Sequence, residues 1–387
     1  MIYLDNAATT FPKPRSVALA VDNCIKSYSA NPGRSGHKLS VRASEAVYNC
    51  RNSLAQFFGA KRPETVIFTE NCTMAINTVL KGVLNPGDHV ICSCLEHNAV
   101  WRPLNKLKTQ GCSFDVARVF LDDPDATVKA FEALIKSNTK MIICTHASNV
   151  CGAVLPIEKI GRLCQEYHLL FCVDAAQSAG VLPIDMEKMH IDYLCLAPHK
   201  GLYAPMGIGT LIALKDIDKT LIEGGTGSLS MLETQPDFMP DKFESGTLNL
   251  SGIAGLSAGI DFVKSIGIQQ IHKAEMKHIR TVYTALSQMK GVKLYTEAPL
   301  SDSWVPVLSF NLNDISSDEV AKELDDMGIA TRPGLHCAPL AHKMLGTTKQ
   351  GTVRICPSVF TKATDISMFL GAVRKILNKT VSIEKAE

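Results

Sequence analysis

Short apolar runs recur along the first half of the chain, and each of them is followed by polar residues capable of chemistry. Runs of this length, apolar at consecutive positions, are typical of strands buried on both faces of a parallel sheet. Their repetition, with helix-like segments between them, predicts an α/β fold. The runs are Thr65–Thr69, His89–Ser93, Met141–Thr145, Leu169–Val173 and Tyr193–Ala197. The polar residues that follow them are Cys72 and Thr73, His97, Asn149, Asp174, and the pair His199 and Lys200.

Asp174 and Lys200 follow the last two of these runs. In open α/β sheets, ligands bind just beyond the carboxyl ends of the strands. An acid and a lysine at that edge suit pyridoxal phosphate, because the amine can bind the aldehyde and the carboxylate can keep the pyridine nitrogen protonated. Each residue alone has a plainer interpretation. Asp174 could cap the turn over Ala175–Ala179, and an isolated lysine is usually solvated.

Other positions are open to two interpretations. Cys72 and Thr73 begin a helix, where unpaired N–H groups can bind a phosphate, although any strand–helix unit produces such a turn. His97 could stack on a planar cofactor or simply begin a helix, and Asn149 could donate to a ring hydroxyl. The loop 31–37, which contains His37, is as compatible with a plain surface connection as with a site.

The composition is that of a globular enzyme. The 387 residues are 46% apolar and 20% charged, with a formal charge of +2. This gives no reason to expect nucleic acid as a partner. No apolar run reaches the roughly 18 residues of a membrane span, and the N-terminus does not resemble a signal peptide. The thirteen cysteines, mostly inside apolar runs, indicate buried free thiols and predict a cytoplasmic protein.

The chain changes character towards its C-terminus. Alternating short strands and helices predict a smaller α+β domain, formed by residues 1–15 and 259–387, beside a large domain over 16–258. In the large domain we expect a mostly parallel sheet flanked by helices. The segment Gly255–Val263 is the predicted hinge between the two domains.

In combination, several motifs resemble one family over essentially the whole chain. This is the class V, fold-type I pyridoxal phosphate enzymes, and within it the cysteine desulfurases and selenocysteine lyases. The motifs are YLDNAATT, TENCTMAIN, the His97 turn, Asn149, VDAAQSAG, APHKGLYAPMGIG, FESGTLNL, RPGLHCAP and VRICPS.

The resemblance implies a role for each cofactor residue. Lys200 would bind the cofactor and move the proton at the substrate Cα, while Asp174 would pair with the pyridine nitrogen. His97 would stack on the ring. The remaining implied contacts are Gln177 and Asn149 at the ring oxygen edge, Cys72, Thr73 and His199 at the phosphate, and Gly246 and Thr247 at the phosphate of the neighbouring subunit of a homodimer.

The resemblance also implies the substrate half of the site. Cys337 lies in a Gly/Pro-shaped loop flanked by Arg332 and His336, and it matches the sulfur-accepting cysteine of the family. Arg354 would clamp the substrate carboxylate through two parallel hydrogen bonds. Arg332, His37 and Asn149 are further candidates for substrate binding. The reaction implied is conversion of L-cysteine to L-alanine, with the sulfur left on Cys337 as a persulfide for a protein acceptor.

Two positions depart from the family pattern. Ala197, followed by Pro198, stands where a phosphate-binding Ser or Thr is usual, which predicts weaker cofactor retention. Leu335 stands where the subgroup often has another histidine, which bears on the reactivity of Cys337.

Three alternatives remain open on the sequence. The same site could act on L-selenocysteine, where the nucleophile can be dispensable. Another class V reaction, transamination or racemisation, would leave Cys337 structural. A metal or sulfur scaffold could use Cys92, Cys94 and His97, or Cys144 and His146, although side chains that alternate across strands need not converge.

Overall fold

The computed structural model describes residues 1–33, 36–299 and 304–384. Its strands are β1 (Ile2–Tyr3), β2 (Val66–Thr69), β3 (His89–Ser93), β4 (Ser113–Ala117), β5 (Thr139–Thr145), β6 (Leu170–Asp174), β7 (Tyr193–Leu196), β8 (Gly209–Ala213), β9 (Val292–Leu294), β10 (Leu308–Leu312), β11 (Ile329–Ala330) and β12 (Val353–Ile355). Its α-helices are α1 (Arg15–Ser27), α2 (Lys38–Phe57), α3 (Cys72–Val83), α4 (Asn98–Lys108), α5 (Pro124–Glu132), α6 (Ile157–Glu166), α7 (Leu250–Ile266), α8 (Ile268–Ser287), α9 (Ser317–Asp326), α10 (Pro339–Leu345) and α11 (Ala363–Glu384).

The chain divides into two compact units. The large unit contains residues 13–146 and 155–266, and the small unit contains residues 1–12, 147–154 and the chain from Gly267 onward. The predicted hinge Gly255–Val263 lies inside the continuous helix α7. The helical path instead breaks at Gly267, which has a left-handed φ of 92° and separates α7 from α8. The sequence predicts a large domain over 16–258 and a small domain over 1–15 and 259–387. These limits differ from the division into units and stay predictions.

A seven-stranded sheet forms the centre of the large unit. Its strand order is β2-β8-β7-β6-β5-β3-β4, and only β8 runs antiparallel to its neighbours. Pairing sets Thr145 opposite Asp174, and Asp174 opposite Cys195, so the carboxyl ends of β5, β6 and β7 meet at one edge. This edge is called the site edge below. The predicted α/β fold with a mostly parallel sheet is confirmed.

Helices α3 and α4 pack on a buried hydrophobic cluster against this sheet. Its members include Ile67, Val79, Leu104, Ile143 and Leu211, each at most 2% exposed. Burial of each such side chain contributes about 1.5–3 kcal/mol. The apolar runs are strands because both of their faces are covered in this way.

The start of α3 is held close to the sheet. A Cβ placed on Gly209, the first residue of β8, would lie 2.3 Å from the backbone carbon of Asn71. Only glycine permits this approach, which brings the N-terminus of α3 to the site edge.

The small unit is an α+β arrangement. Strands β12, β10 and β9 form an antiparallel sheet, while β1 and β11 form a parallel pair. An isolated bridge joins Arg332 to Arg354, which ties the loop after β11 to β12. Over the described part of the chain, no helix combines the length and the apolar character that crossing a membrane requires.

Candidate active site

Asp174 is the last residue of β6 and is buried. Its Oδ1 accepts a hydrogen bond from the Ala176 N–H at 2.9 Å and from the Cys72 thiol at 3.6 Å. The turn-capping interpretation of this aspartate is therefore correct. The buried carboxylate is nonetheless held at the site edge, beside the first residue of α3.

Lys200 lies half-buried in the turn after β7. Its N–H donates to the Ala197 carbonyl at 3.0 Å, and its own carbonyl accepts from the Tyr203 N–H at 2.8 Å. The turn packs closely, because a Cβ on Gly201 would lie 2.3 Å from the Ala179 carbonyl oxygen. The side chain of Lys200 therefore extends from a backbone that is fixed by hydrogen bonds and close packing.

Cys72 shows that the acid and the lysine lie near the same atoms. Burial raises the pKa of its thiol well above the usual value, the negative charge of Asp174 raises it further, and the positive charge of Lys200 lowers it. The thiol thus experiences both charges at the site edge. Sequence alone predicts that both residues reach this edge, and in the structure Asp174 ends β6 while Lys200 lies in the turn after β7.

The N-terminus of α3 provides hydrogen-bond donors. The Asn71 side chain accepts from the Met74 N–H at 2.9 Å, which caps the helix. The N–H groups of Cys72 and Thr73 belong to the first turn and have no intrahelical acceptor. Thr73 is exposed. The helix start is therefore suited to an anion.

His199 lies in a positively charged environment. Its pKa is lowered to about 4, first by burial and then by the charges of Lys200 and Lys13. The Lys13 ammonium donates to the His199 carbonyl at 2.6 Å. The sequence interpretation overlooked Lys13, because a lysine before the first helix looks like ordinary surface. Two lysines around one neutral imidazole favour a bound phosphate.

His97 is the N-cap of α4, with its Nδ1 accepting from the Ala99 N–H at 3.0 Å. This interaction places the ring proton of the neutral form on Nε2. The helix-start interpretation is thus correct, and the stacking role stays a prediction.

Glu96, next to His97, is a further residue of interest that sequence reasoning missed. It is fully buried, and one oxygen accepts from the Ser93 hydroxyl and from the Thr145 N–H, the latter at 3.0 Å. Burial raises the pKa of Glu96 to about 8, with the charge of Asp174 adding to the shift and these hydrogen bonds opposing it. Its carboxyl links the ends of β3 and β5 behind His97.

The remaining predicted cofactor residues of the large unit lie in turns and loops. Gln177 is half-buried in the turn after β6. Gly246, with a φ of 93°, donates its N–H to the Gly225 carbonyl at 2.8 Å, and it is exposed together with Thr247. Gly246 also lines a cavity of about 290 Å³ beside the buried Arg51–Glu244 ion pair.

His37 is exposed and caps α2, its Nδ1 accepting from the Ser40 N–H at 3.2 Å. Its role towards substrate stays a prediction. Arg34 and Ser35 of the same predicted loop lie outside the described residues.

Arg354 is the central residue of the small unit's candidate site. It lies buried on β12, with Nη1 donating to the Asn149 carbonyl and Nη2 to an Asp5 carboxylate oxygen, both at 2.9 Å. Burial lowers its pKa, and Asp5 opposes that shift. Among the residues that the structure describes, its buried Nε has no hydrogen-bond partner. This guanidinium is thus held in place with one donor left over.

Cys337 is exposed, whereas the other twelve cysteines are buried or half-buried. It follows His336, and both residues have left-handed backbones, with φ of 57° and 47°. Such conformations cost non-glycine residues about 1 kcal/mol or more each, so neighbouring contacts must maintain them. Arg332, at the start of the loop, is half-buried and exchanges two backbone hydrogen bonds with Arg354, at 3.2 and 2.8 Å.

The model of one protein family, described as aminotransferase class-V, matches residues 2–369. A probable cysteine desulfurase of Methanothermobacter thermautotrophicus is 34% identical over 378 residues, which cover 95% of this chain and 92% of the relative. The chain belongs to the class V aminotransferase family, among the cysteine desulfurases.

Further relatives and solved structures are also described as cysteine desulfurases. A probable cysteine desulfurase of Pyrococcus abyssi is 32% identical, covering 97% of this chain and 94% of its own. Among solved structures, the apo cysteine desulfurase from Thermococcus onnurineus aligns with a TM-score of 0.88 at 30% identity, covering 98% of this chain and 95% of that one. The Escherichia coli cysteine desulfurase CsdA aligns with a TM-score of 0.85 at 26% identity, covering 97% and 94%.

The donor set in the large unit fits the pyridoxal phosphate of this family. Asp174 supplies a buried acid for a pyridine nitrogen, Lys200 supplies an amine near it, and the start of α3 supplies donors for a phosphate. One expected hydroxyl donor is missing, since Ala197 is buried where class V enzymes usually have Ser or Thr.

The cysteine–histidine groups of the metal-scaffold alternative do not converge in the described residues. No group of three or more His, Cys, Asp or Glu side chains there could hold a metal ion. Cys92 and Cys144 lie fully buried within β3 and β5.

Proposed function

We propose that the protein is a pyridoxal phosphate-dependent cysteine desulfurase, which converts L-cysteine to L-alanine and leaves the sulfur on Cys337 as a persulfide. The observation that supports the cofactor most directly is the placement of the buried Asp174 at the end of β6 and of Lys200 in the turn after the neighbouring strand β7. The observation that supports the sulfur chemistry is the exposure of Cys337 in a loop with a left-handed backbone. The names of the relatives, probable cysteine desulfurases, agree with the sulfur chemistry.

When bound, pyridoxal phosphate supplies an electron sink that stabilises negative charge at the substrate Cα. Asp174 keeps the ring nitrogen protonated, and the start of α3 with His199 binds the phosphate. Lys200 takes the Cα proton and later returns a proton.

Cys337 performs the sulfur step. Its thiolate attacks the substrate sulfur, the substrate C–S bond breaks, and an S–S bond forms on Cys337. The electron pair of the broken bond stays with the substrate carbon, which is protonated to give alanine. One cysteine and one thiol are thus converted to one alanine and one persulfide, with no outside oxidant or reductant. The exposed position of Cys337 leaves the persulfide accessible to a protein acceptor.

Arg354 binds the substrate carboxylate, with Arg332, Asn149 and His37 as further contributors. The buried Nε, which lacks a partner among the described residues, supports this assignment. A guanidinium offers parallel donors that match a carboxylate, and Asp5 keeps it oriented. Since selenocysteine presents the same carboxylate, this proposal covers L-selenocysteine as a second substrate of the same site.

We also propose that the protein is a homodimer and acts in the cytoplasm. The exposed Leu39, Val41 and Tyr48 on α2 suit an interface with a second copy, as does the exposed loop with Gly246 and Thr247. The thirteen free cysteines suit a reducing compartment.

The test of this function is Cys337→Ala. We expect this variant to keep the visible absorbance of the bound cofactor and to lose alanine formation from L-cysteine by about a hundredfold or more. Cys94→Ala, which removes a half-buried thiol of the large unit, serves as the control. Unchanged cysteine turnover in Cys337→Ala would refute the assigned nucleophile. A keto acid product instead of alanine would favour transamination.

A further inference from the structure

The side chain of Asn149 contacts the loop that presents Cys337. Its Nδ2 donates to the backbone carbonyl of His336 at 2.6 Å, and both residues are buried. His336 directly precedes Cys337 in the chain. An amide nitrogen facing a carbonyl can only act as donor, so the orientation of the Asn149 amide is defined by this contact.

The His336 side chain holds the same loop from a second direction. Its Nε2 lies 3.0 Å from the Thr352 hydroxyl, which donates to the Ser309 hydroxyl at 3.1 Å. Ser309 in turn donates to the Val150 carbonyl at 2.6 Å. The chain of contacts therefore returns to the segment 147–154 that contains Asn149.

His336 is neutral in this network. Its pKa is lowered to about 2, first by burial and then by the charges of Arg354, His342 and Arg332. A neutral imidazole can share one hydrogen bond with Thr352 without an unpaired buried charge. Its backbone carbonyl accepts the hydrogen bond from Asn149.

Asn149 also contacts the substrate-binding arginine, since its backbone carbonyl accepts from Arg354 Nη1 at 2.9 Å. Arg354, Asn149 and His336 are thus joined by consecutive hydrogen bonds that end at the residue before Cys337. A shift of the guanidinium would move Asn149, and a shift of Asn149 would release the His336 carbonyl.

We propose that Asn149 is a positioning residue that holds the Cys337 loop and couples it to the carboxylate-binding Arg354. The left-handed backbones of His336 and Cys337 need such an external contact, because neither residue adopts them unaided. This inference rests on the proposed function only in taking Cys337 as the nucleophile and Arg354 as the carboxylate ligand.

The test compares amide hydrogen exchange over residues 332–338 in the cofactor-loaded wild type and in Asn149→Asp. Aspartate has the size of asparagine but cannot donate when ionised. The protected amides include Arg332, bonded to the Arg354 carbonyl, Gly334, bonded to the Thr352 carbonyl, and Ala338, bonded to the Leu335 carbonyl. We expect exchange in this segment to be roughly five- to tenfold faster in the variant, the effect of losing one hydrogen bond on a local opening equilibrium. Asn149→Ala should give the same result, and it replaces Asn149→Asp if that variant does not fold.

Tyr283→Phe is the matched control. The Tyr283 hydroxyl donates to the Thr296 carbonyl at 2.9 Å in the same unit, so this change also removes one side-chain-to-backbone bond. Its exchange over residues 332–338 should equal that of the wild type.

Kinetics with L-cysteine give the second readout. Loss of the positioning contact should lower kcat by roughly tenfold, separately from any rise in KM that the loss of a carboxylate contact from Asn149 causes. Unchanged exchange over residues 332–338 in both variants would overturn the proposal, and so would faster exchange with an unchanged kcat. If the wild type did not turn over cysteine at all, the proposed function would fail, whereas the exchange experiment would still decide whether Asn149 holds the loop.

Discussion

The site edge of the large unit and the Cys337 loop of the small unit are built in opposite ways. At the site edge, parallel strands in register bring Asp174 and the Lys200 turn to fixed places, and burial on both faces of the sheet keeps them there. The Cys337 loop is tied to the chain at β12 by backbone hydrogen bonds of Arg332 and Gly334 only near its start. Closer to Cys337, the His336 carbonyl accepts a side-chain hydrogen bond from Asn149. Chemistry that needs fixed charges is thus placed on the sheet, and chemistry that needs an accessible thiol is placed on a loop.

This difference also explains what could be predicted from the sequence. The end of a buried strand is recognisable in the sequence as the point where an apolar run stops. The residues that follow these runs can therefore be assigned to one edge of the sheet from sequence alone, and they are Cys72, His97, Asp174 and Lys200. The partners in the small unit are distant in sequence, and no local pattern shows them. Asp5 lies 349 positions from Arg354, and Asn149 lies 187 positions from His336.

Some elements of the large unit were missed for local reasons. Strand β4 lies at the edge of the sheet, where Ser113 and Val116 are exposed, so it lacks the continuous apolar run of the central strands. Glu96 was missed because a glutamate before a helix is usually solvated, whereas here the two strand ends enclose it. The predicted hinge segment lies within α7, where Gly255 and Gly259 allow close packing against Pro205 and Leu202.

Substituting Arg354 tests the small unit, and we expect a larger effect there than for the two substitutions at the site edge described below. Arg354→Lys should raise KM for L-cysteine by about 30- to 100-fold, because an ammonium lacks the planar fork of parallel donors that matches a carboxylate while Asp5 and the Asn149 carbonyl hold the other N–H groups. Steady-state kinetics measures this effect, and the cofactor absorbance should stay unchanged. A shift in that absorbance with an unaltered KM would remove Arg354 from the substrate site.

Glu96 tests the site edge through pH. The raised folded pKa of about 8 means that, above its unfolded pKa, the native state retains a proton that the unfolded state has lost. The contribution of Glu96 to the free energy of unfolding is therefore fully present below the unfolded pKa and is lost as the pH rises to about 8. Glu96→Gln should remove that decline, so that between pH 5 and pH 8 the wild type loses about 3 to 4 kcal/mol of unfolding free energy that the variant keeps.

Urea unfolding of both proteins at the two pH values measures the difference. Glu158→Gln, at an exposed position of α6, is the control and should leave the pH dependence of unfolding unaltered. Parallel pH dependence in the wild type and Glu96→Gln would show that the Glu96 carboxyl is ionised in the native state.

Ala197 tests the same edge with the smallest expected effect. Ala197→Ser restores the hydroxyl that class V enzymes usually have before the His–Lys pair, and one hydrogen bond to the phosphate should tighten cofactor binding about fivefold. Titration of the apoprotein with pyridoxal phosphate measures it, with Ala197→Cys as a control of similar volume. No change in affinity would show that position 197 does not contact the phosphate.

The central claim is that the site edge holds pyridoxal phosphate on Lys200. Borohydride reduction of the purified protein, followed by mass spectrometry of its peptides, tests this claim most directly. We predict a pyridoxyl group on Lys200, in the peptide that contains His199, and a loss of visible absorbance on reduction. A modified lysine elsewhere, such as Lys13, or no modified lysine after incubation with pyridoxal phosphate, would contradict it.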